Sequence, residues 1–172
     1  LEALVIDSSI DFDSILTRLD RSLERHKFKV WREVSWEDGS LLPLCGLKDS
    51  ILPWPHAAGF FLKEFDAVDV GSIRDFAREC LTYMQLNKPV MLKSKLITQY
   101  VVLPCLAADS ITDEAARFVL SGALPEFFST DVPFPILLDL SVRKFYVGEG
   151  VGVWEIPKRL AANLLDLGML GA

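Results

Sequence analysis

One stretch, Tyr100 to Ala107, limits the fold more than any other. Tyr100, Val101, Val102, Leu103, Cys105, Leu106 and Ala107 form a nearly unbroken apolar run that ends at Asp109-Ser110. A strand with one wet face alternates apolar and polar side chains. A run without alternation therefore predicts a strand covered on both faces, as in a sheet buried between helices. The expected class is α/β, a mixed sheet centred on the Tyr100 strand and flanked by helices; the alternative is α+β. At 172 residues the chain has the size of one domain, 1–172, and is long enough to bury a core without staples.

The rest of the chain supplies the flanking elements. Phe12, Ile15, Leu16, Leu19 and Leu23 recur at helical spacing, with Asp11 or Ser9 as N-cap. From Phe28 to Trp36 the period becomes two, with Phe28, Val30, Arg32 and Val34 on one side and mixed residues on the other, which predicts an edge or half-covered strand. Glu37-Asp38-Gly39-Ser40 provides turn chemistry, and Leu41 to Cys45 returns as its hairpin partner. Ala58 to Phe65 is the next strand. Ser72 and Asp75 make a capping-box-like pair ahead of a stripe of Ile73, Phe76, Ala77, Cys80, Leu81 and Met84. Ser110 and Asp113 repeat that arrangement after the Tyr100 strand. Pro135 to Leu138 and Arg143 to Val147 read as a second hairpin, and Pro157 opens a last helix. The predicted order is α-β-β-β-α-β-α-β-β-α.

Composition narrows the function classes. The net charge of -6 argues against extended contact with nucleic acid, which needs Lys and Arg to neutralise phosphates. The three cysteines, Cys45, Cys80 and Cys105, are far apart and without CxxC spacing, so they predict reduced, buried thiols in a cytoplasmic protein. No apolar run reaches the roughly 20 residues that span a bilayer, so no membrane is expected.

Familiar catalytic signatures, a Walker A loop and HExxH among them, are absent from the sequence. Three sets of residues carry the functional expectations. Asp66, Asp109 and Asp139 each follow or end an apolar strand, and if those strands are parallel neighbours the acids share one carboxyl edge, where α/β proteins place their sites. Such acids suit Mg²⁺ or Mn²⁺ in phosphoester hydrolysis, although turn formation and helix capping also place acids there. Otherwise no cofactor is expected. Trp54 and His56, in a segment stiffened by Pro53 and Pro55, form a candidate ligand pocket. Phe127, Phe128 and Phe134 put apolar surface into a proline-containing connection, where they either cover the sheet or meet a partner.

The order α-β-β-β-α-β over about residues 11 to 107 resembles the core of the restriction-endonuclease-like superfamily. The active site of that family uses an acid on the second strand, and on the third an Asp or Glu, any residue, then Lys. Here the third strand reads Phe61-Leu62-Lys63-Glu64-Phe65, with the lysine before the acid, and the second, Leu41 to Cys45, has no acid. The resemblance thus implies a degenerate, non-catalytic relative. The expected function is a non-catalytic protein-interaction or regulatory protein, associating with another protein or as a homo-oligomer. The alternatives are a divalent-metal-dependent phosphoester hydrolase and a small-molecule-binding domain.

Overall fold

The computed structural model of the chain describes residues 3–6, 9–50, 56–87, 99–121, 124, 131–149 and 155–169. The Tyr100 run forms strand β5 (Gln99–Ala108). The other strands are β1 (Ala3–Val5), β2 (Lys29–Ser35), β3 (Leu41–Ser50), β4 (His56–Glu64), β6 (Val132–Pro133), β7 (Ile136–Asp139) and β8 (Lys144–Val147). The helices are α1 (Phe12–Arg25), α2 (Val70–Leu86), α3 (Asp113–Leu120) and α4 (Glu155–Met169). All the strands join one mixed sheet in the order β1-β8-β7-β5-β4-β3-β2, with β6 beside β5. The predicted α/β order is reproduced, with β1 and β6 added.

β5 is central and covered on both faces, as its sequence requires. Val101, Leu103, Cys105 and Ala107 join a core with Ile15, Leu19 and Leu23 of α1 and Leu164 and Leu165 of α4. Tyr100, Val102, Leu106 and Ala108 join a second core with Ile73, Phe76, Cys80 and Met84 of α2 and Ala115 and Val119 of α3. The period of two sends alternate side chains to opposite faces, so one strand seeds both cores. On the first face, Ser22 Oγ ties α1 to α4 by donating to the Leu164 carbonyl at 2.6 Å.

Pro104 stands inside this central strand, where a missing N–H normally breaks a ladder. β6 pairs with β5 at Val101 and Val102, and β7 takes over from Cys105 opposite Ile136. The same register puts Pro104 beside Pro135, at the break between β6 and β7. Proline costs little there, because the neighbouring strand is itself interrupted.

β2 and β3 depart from the expected simple alternation. Val30 packs on the α1 side but Val34 on the α2 side, and Leu44 and Leu42 are split in the same way. The register places Glu33 opposite Pro43. Glu33 has φ 52°, and Pro43 has no N–H to donate, so both strands change face at this point.

Helix ends follow the local hydrogen bonding. Asp11 caps α1 by accepting from Ser14 N at 2.8 Å. α2 starts before the predicted Ser72: Asp69 is its N-cap and accepts from Ser72 N at 2.7 Å. Thr112, and not Ser110, caps α3. α1 ends in a Schellman motif, with Lys27 N donating to the Glu24 carbonyl and Phe28 N to the Leu23 carbonyl, both at 3.0 Å. Lys27 fills the left-handed position at φ 68° that glycine usually takes.

Two substitutions test this account. Lys27→Gly relieves the left-handed strain and should raise stability by about 1 kcal/mol in urea denaturation. Gly59→Ala should lower it by about 1–3 kcal/mol, a typical cost of overpacking. A methyl on Gly59 would lie 2.6 Å from the Phe61 ring and 2.7 Å from Met84 Sδ, where α2 approaches β4.

Candidate functional site

β4, β5 and β7 are parallel neighbours, so the ends of all three strands meet at one carboxyl edge. Asp139 Oδ1 accepts from Ser141 N at 3.0 Å, from Ser141 Oγ at 2.6 Å and from Val142 N at 3.3 Å, so its carboxylate shapes the β7–β8 turn. Asp66 and Asp109 are exposed. Among the described residues, no group of three or more His, Cys, Asp or Glu side chains could hold a metal ion.

A different acid shares this edge. Glu64, the exposed last residue of β4, has its carboxyl pushed above the ordinary glutamate range by partial desolvation, then by Asp109 and by Asp13 of α1. Nearby, a groove of about 430 Å³ runs over the start of α1, lined by Ser9, Ile10, Asp11, Asp13, Ser14, Thr17, Arg18 and Arg21.

On the opposite face lies a feature that sequence reasoning missed. Lys63 is only 7% exposed, and its Nζ sits 2.6 Å from Asp38 Oδ2 in the β2–β3 turn. The ammonium also lies 5.4 Å from the Phe65 ring centroid and 5.7 Å from that of Phe76. Lys63, then the Ser40 hydroxyl and backbone N–H, hold the Asp38 carboxyl well below the usual aspartate range. Trp36 Nε1 donates to Glu79 Oε2 at 2.9 Å, and the Trp36 ring packs 5.0 Å from that of Tyr83. The turn is thereby fastened to α2 and β4. The signal in the sequence was a lysine inside Phe60-Phe61-Leu62-Lys63, because a charge in an apolar strand needs a partner.

The adjacency of Lys63 and Glu64 decides what this strand can do. Neighbouring residues of a strand face opposite ways, so the lysine points to the α2 side and the glutamate to the α1 side. A spacing with one residue between would have put them together. This strand therefore does not assemble the acid–lysine pair of a nuclease site.

Phe134 is 1% exposed and belongs to the core on the α1 side, together with β5. Of its two expected places, covering the sheet or lying on a contact surface, it takes the first: at the start of the β7 segment it covers the sheet. Leu124, at the other end of that connection, is also buried. Phe127, Phe128, Trp54 and the side chain of His56 lie outside the described residues. The three cysteines are free and buried, and burial pushes the Cys45 thiol up to about 12. Among the described residues, no helix is long and apolar enough to cross a membrane.

Compared with known proteins, the chain matches no family model, no curated protein and no solved structure.

Two experiments separate these roles. Asp38→Ala leaves a buried ammonium without its partner and should cost about 1–3 kcal/mol in denaturant melts. Lys63→Met, which replaces the charge with apolar volume, should be neutral or stabilising. Glu64 gives a pH test. Its folded value lies above its unfolded value, so its contribution favours folding in acid and is lost as pH rises through the folded value. Glu64→Gln should therefore raise the Tm at pH 7, and the gain should vanish below about pH 4, where glutamate is protonated in both states.

Proposed function

We propose that the chain is a non-catalytic, cytoplasmic protein-interaction domain that binds a copy of itself or another protein. The observation that carries this reading is the open edge of the sheet at β2. This strand ends the sheet order, and Trp31 on it is 39% exposed. An edge strand presents unpaired N–H and C=O groups to a further strand, and a large aromatic there supplies contact area. Buried, unpaired thiols support a reducing compartment. The connection carrying Phe127 and Phe128 is a second candidate surface: a Phe127→Ser/Phe128→Ser variant that stays folded but loses its partner would place the contact there.

A second reading, a phosphoester hydrolase using Mg²⁺ or Mn²⁺, draws on one observation, that desolvation and then the nearby Asp109 and Asp13 push the Glu64 carboxyl above its ordinary range. It requires that either ion raise the Tm of the wild type and leave an Asp109→Asn/Asp139→Asn variant unmoved. Native mass spectrometry of the protein purified gently from its own host tests the main reading. A discrete oligomer or a retained protein, with no metal, is expected. A monomer carrying a stoichiometric divalent ion would overturn it.

A further inference from the structure

We propose that the corner where α1 runs into β2 binds an acidic segment of a partner protein, through Arg25, Lys27, Lys29 and Lys48. This deepens the interaction reading above and rests on it. Arg25, Lys27 and Lys29 are exposed and Lys48 is half-buried. Elsewhere in the chain cations are held by carboxylates, Arg32 by Asp20, Lys63 by Asp38 and Arg78 by Asp75. Among the described residues, none of the cations at this corner has such a partner. On a chain of net charge -6, unpaired positive charge gathered in one place is a local attraction for anions.

Two observations set this corner apart from ordinary solvated side chains. Lys29 Nζ lies 5.3 Å from the Trp31 ring centroid and Lys48 Nζ 5.7 Å from that of Phe28, so each ammonium has a fixed place over a ring. Lys27 holds φ 68°, a conformation that glycine adopts without strain, and a charge kept at a strained position points to a role other than folding. The negative end of the α1 dipole draws cations to its last turn, which covers Arg25 and Lys27. The strand residues Lys29 and Lys48 have no such explanation.

The placement of these residues selects the partner. Lys29 starts β2 opposite Leu47, next to Lys48 near the end of β3, so the corner lies at one end of the sheet. Lys29 is on the α2 side, since Trp31, two residues on, stands opposite Cys45 of the α2-side core. Lys48 is on the α1 side, opposite Ala58 of the other core. Arg25 closes α1, and Lys27 lies between helix and strand. The face change at Glu33 comes further along β2 and leaves these positions in regular register. The positive charge therefore wraps around the sheet from one face to the other. An extended, flexible segment can follow that path, and a stiff double helix cannot. The far end of the sheet exposes Glu64, Asp66 and Asp109, which repel a polyanion long enough to reach them. A short run of Asp and Glu side chains needs only the corner.

The test uses the full chain and a fluorescent peptide of roughly eight glutamates, long enough when extended to cross the corner, in an anisotropy titration. The wild type should bind at about 50 mM salt and lose affinity as salt rises to about 200 mM. Lys29→Glu and Lys48→Glu should each weaken binding by about fivefold, and the two together by more, while Lys144→Glu on β8 should leave it unchanged. Lys27→Gly separates binding from folding: it should raise stability and yet lower affinity by about two- to threefold. No binding at the lower salt would overturn the proposal, as would affinity indifferent to Lys29→Glu and Lys48→Glu. Tighter binding of a single-stranded oligodeoxynucleotide of equal charge would also overturn it, by assigning the corner to nucleic acid. If native mass spectrometry shows a partner or oligomer that the Lys29→Glu/Lys48→Glu variant retains, this surface fails and the interaction reading stands. A protein that binds no peptide and retains no partner ends both.

Discussion

Burial of β5 on both faces is the constraint on which the rest of this structure depends. A strand whose successive residues are all apolar cannot leave either side wet, so helices must cover both. α1 and α4 cover one face, α2 and α3 the other, and each pair presents its own apolar stripe. The parallel neighbours β4 and β7 follow from the same need, because crossovers through α2 and α3 place those helices against the sheet. The antiparallel outer strands then extend the sheet, which ends at β1 on one side and β2 on the other.

That arrangement also decides which chemistry is within reach. Parallel strands bring Glu64, Asp66, Asp109 and Asp139 to one end of the sheet, where Asp139 holds the β7–β8 turn and, among the described residues, no three such side chains gather as a metal site. Lys63 is spent on the other face, where it binds the β2–β3 turn through Asp38. A buried ammonium held by a carboxylate and two aromatic rings is a fastening. The α-β-β-β-α-β order is present in the fold, and the lysine and acid of β4 stand on opposite sides of the sheet. Among the described residues, Trp31 on the end strand β2 is one of the exposed large apolar side chains, with Leu41, Leu86 and Val142.

Much of this was legible in the sequence because periodicity reports burial directly. The unbroken run of β5, the stripes of α1 and α2, and the half-covered character of β2 are each a pattern of apolar spacing. Helix starts were less legible, since several nearby polar residues can cap: Asp69 and Thr112 do so, and Ser72 and Ser110 do not. The face change in β2 and β3 depends on the positive φ of Glu33 opposite Pro43, which spacing alone does not reveal. The Lys63–Asp38 pair joins residues 25 apart, so the lysine announced a need for a partner without naming it. Phe134 shows why aromatic content in a connection is ambiguous: the same apolar side chain suits a core or a contact.

The measurement that tests the central role of β5 most directly is native-state amide hydrogen exchange. Amides of Val102, Leu103 and Leu106 should exchange only through global unfolding, with a free energy equal to that from denaturant melts, while those of β2 and α3 exchange through local openings. If the β5 amides exchanged at lower free energy than β2 or α3, the sheet would not be organised around this strand.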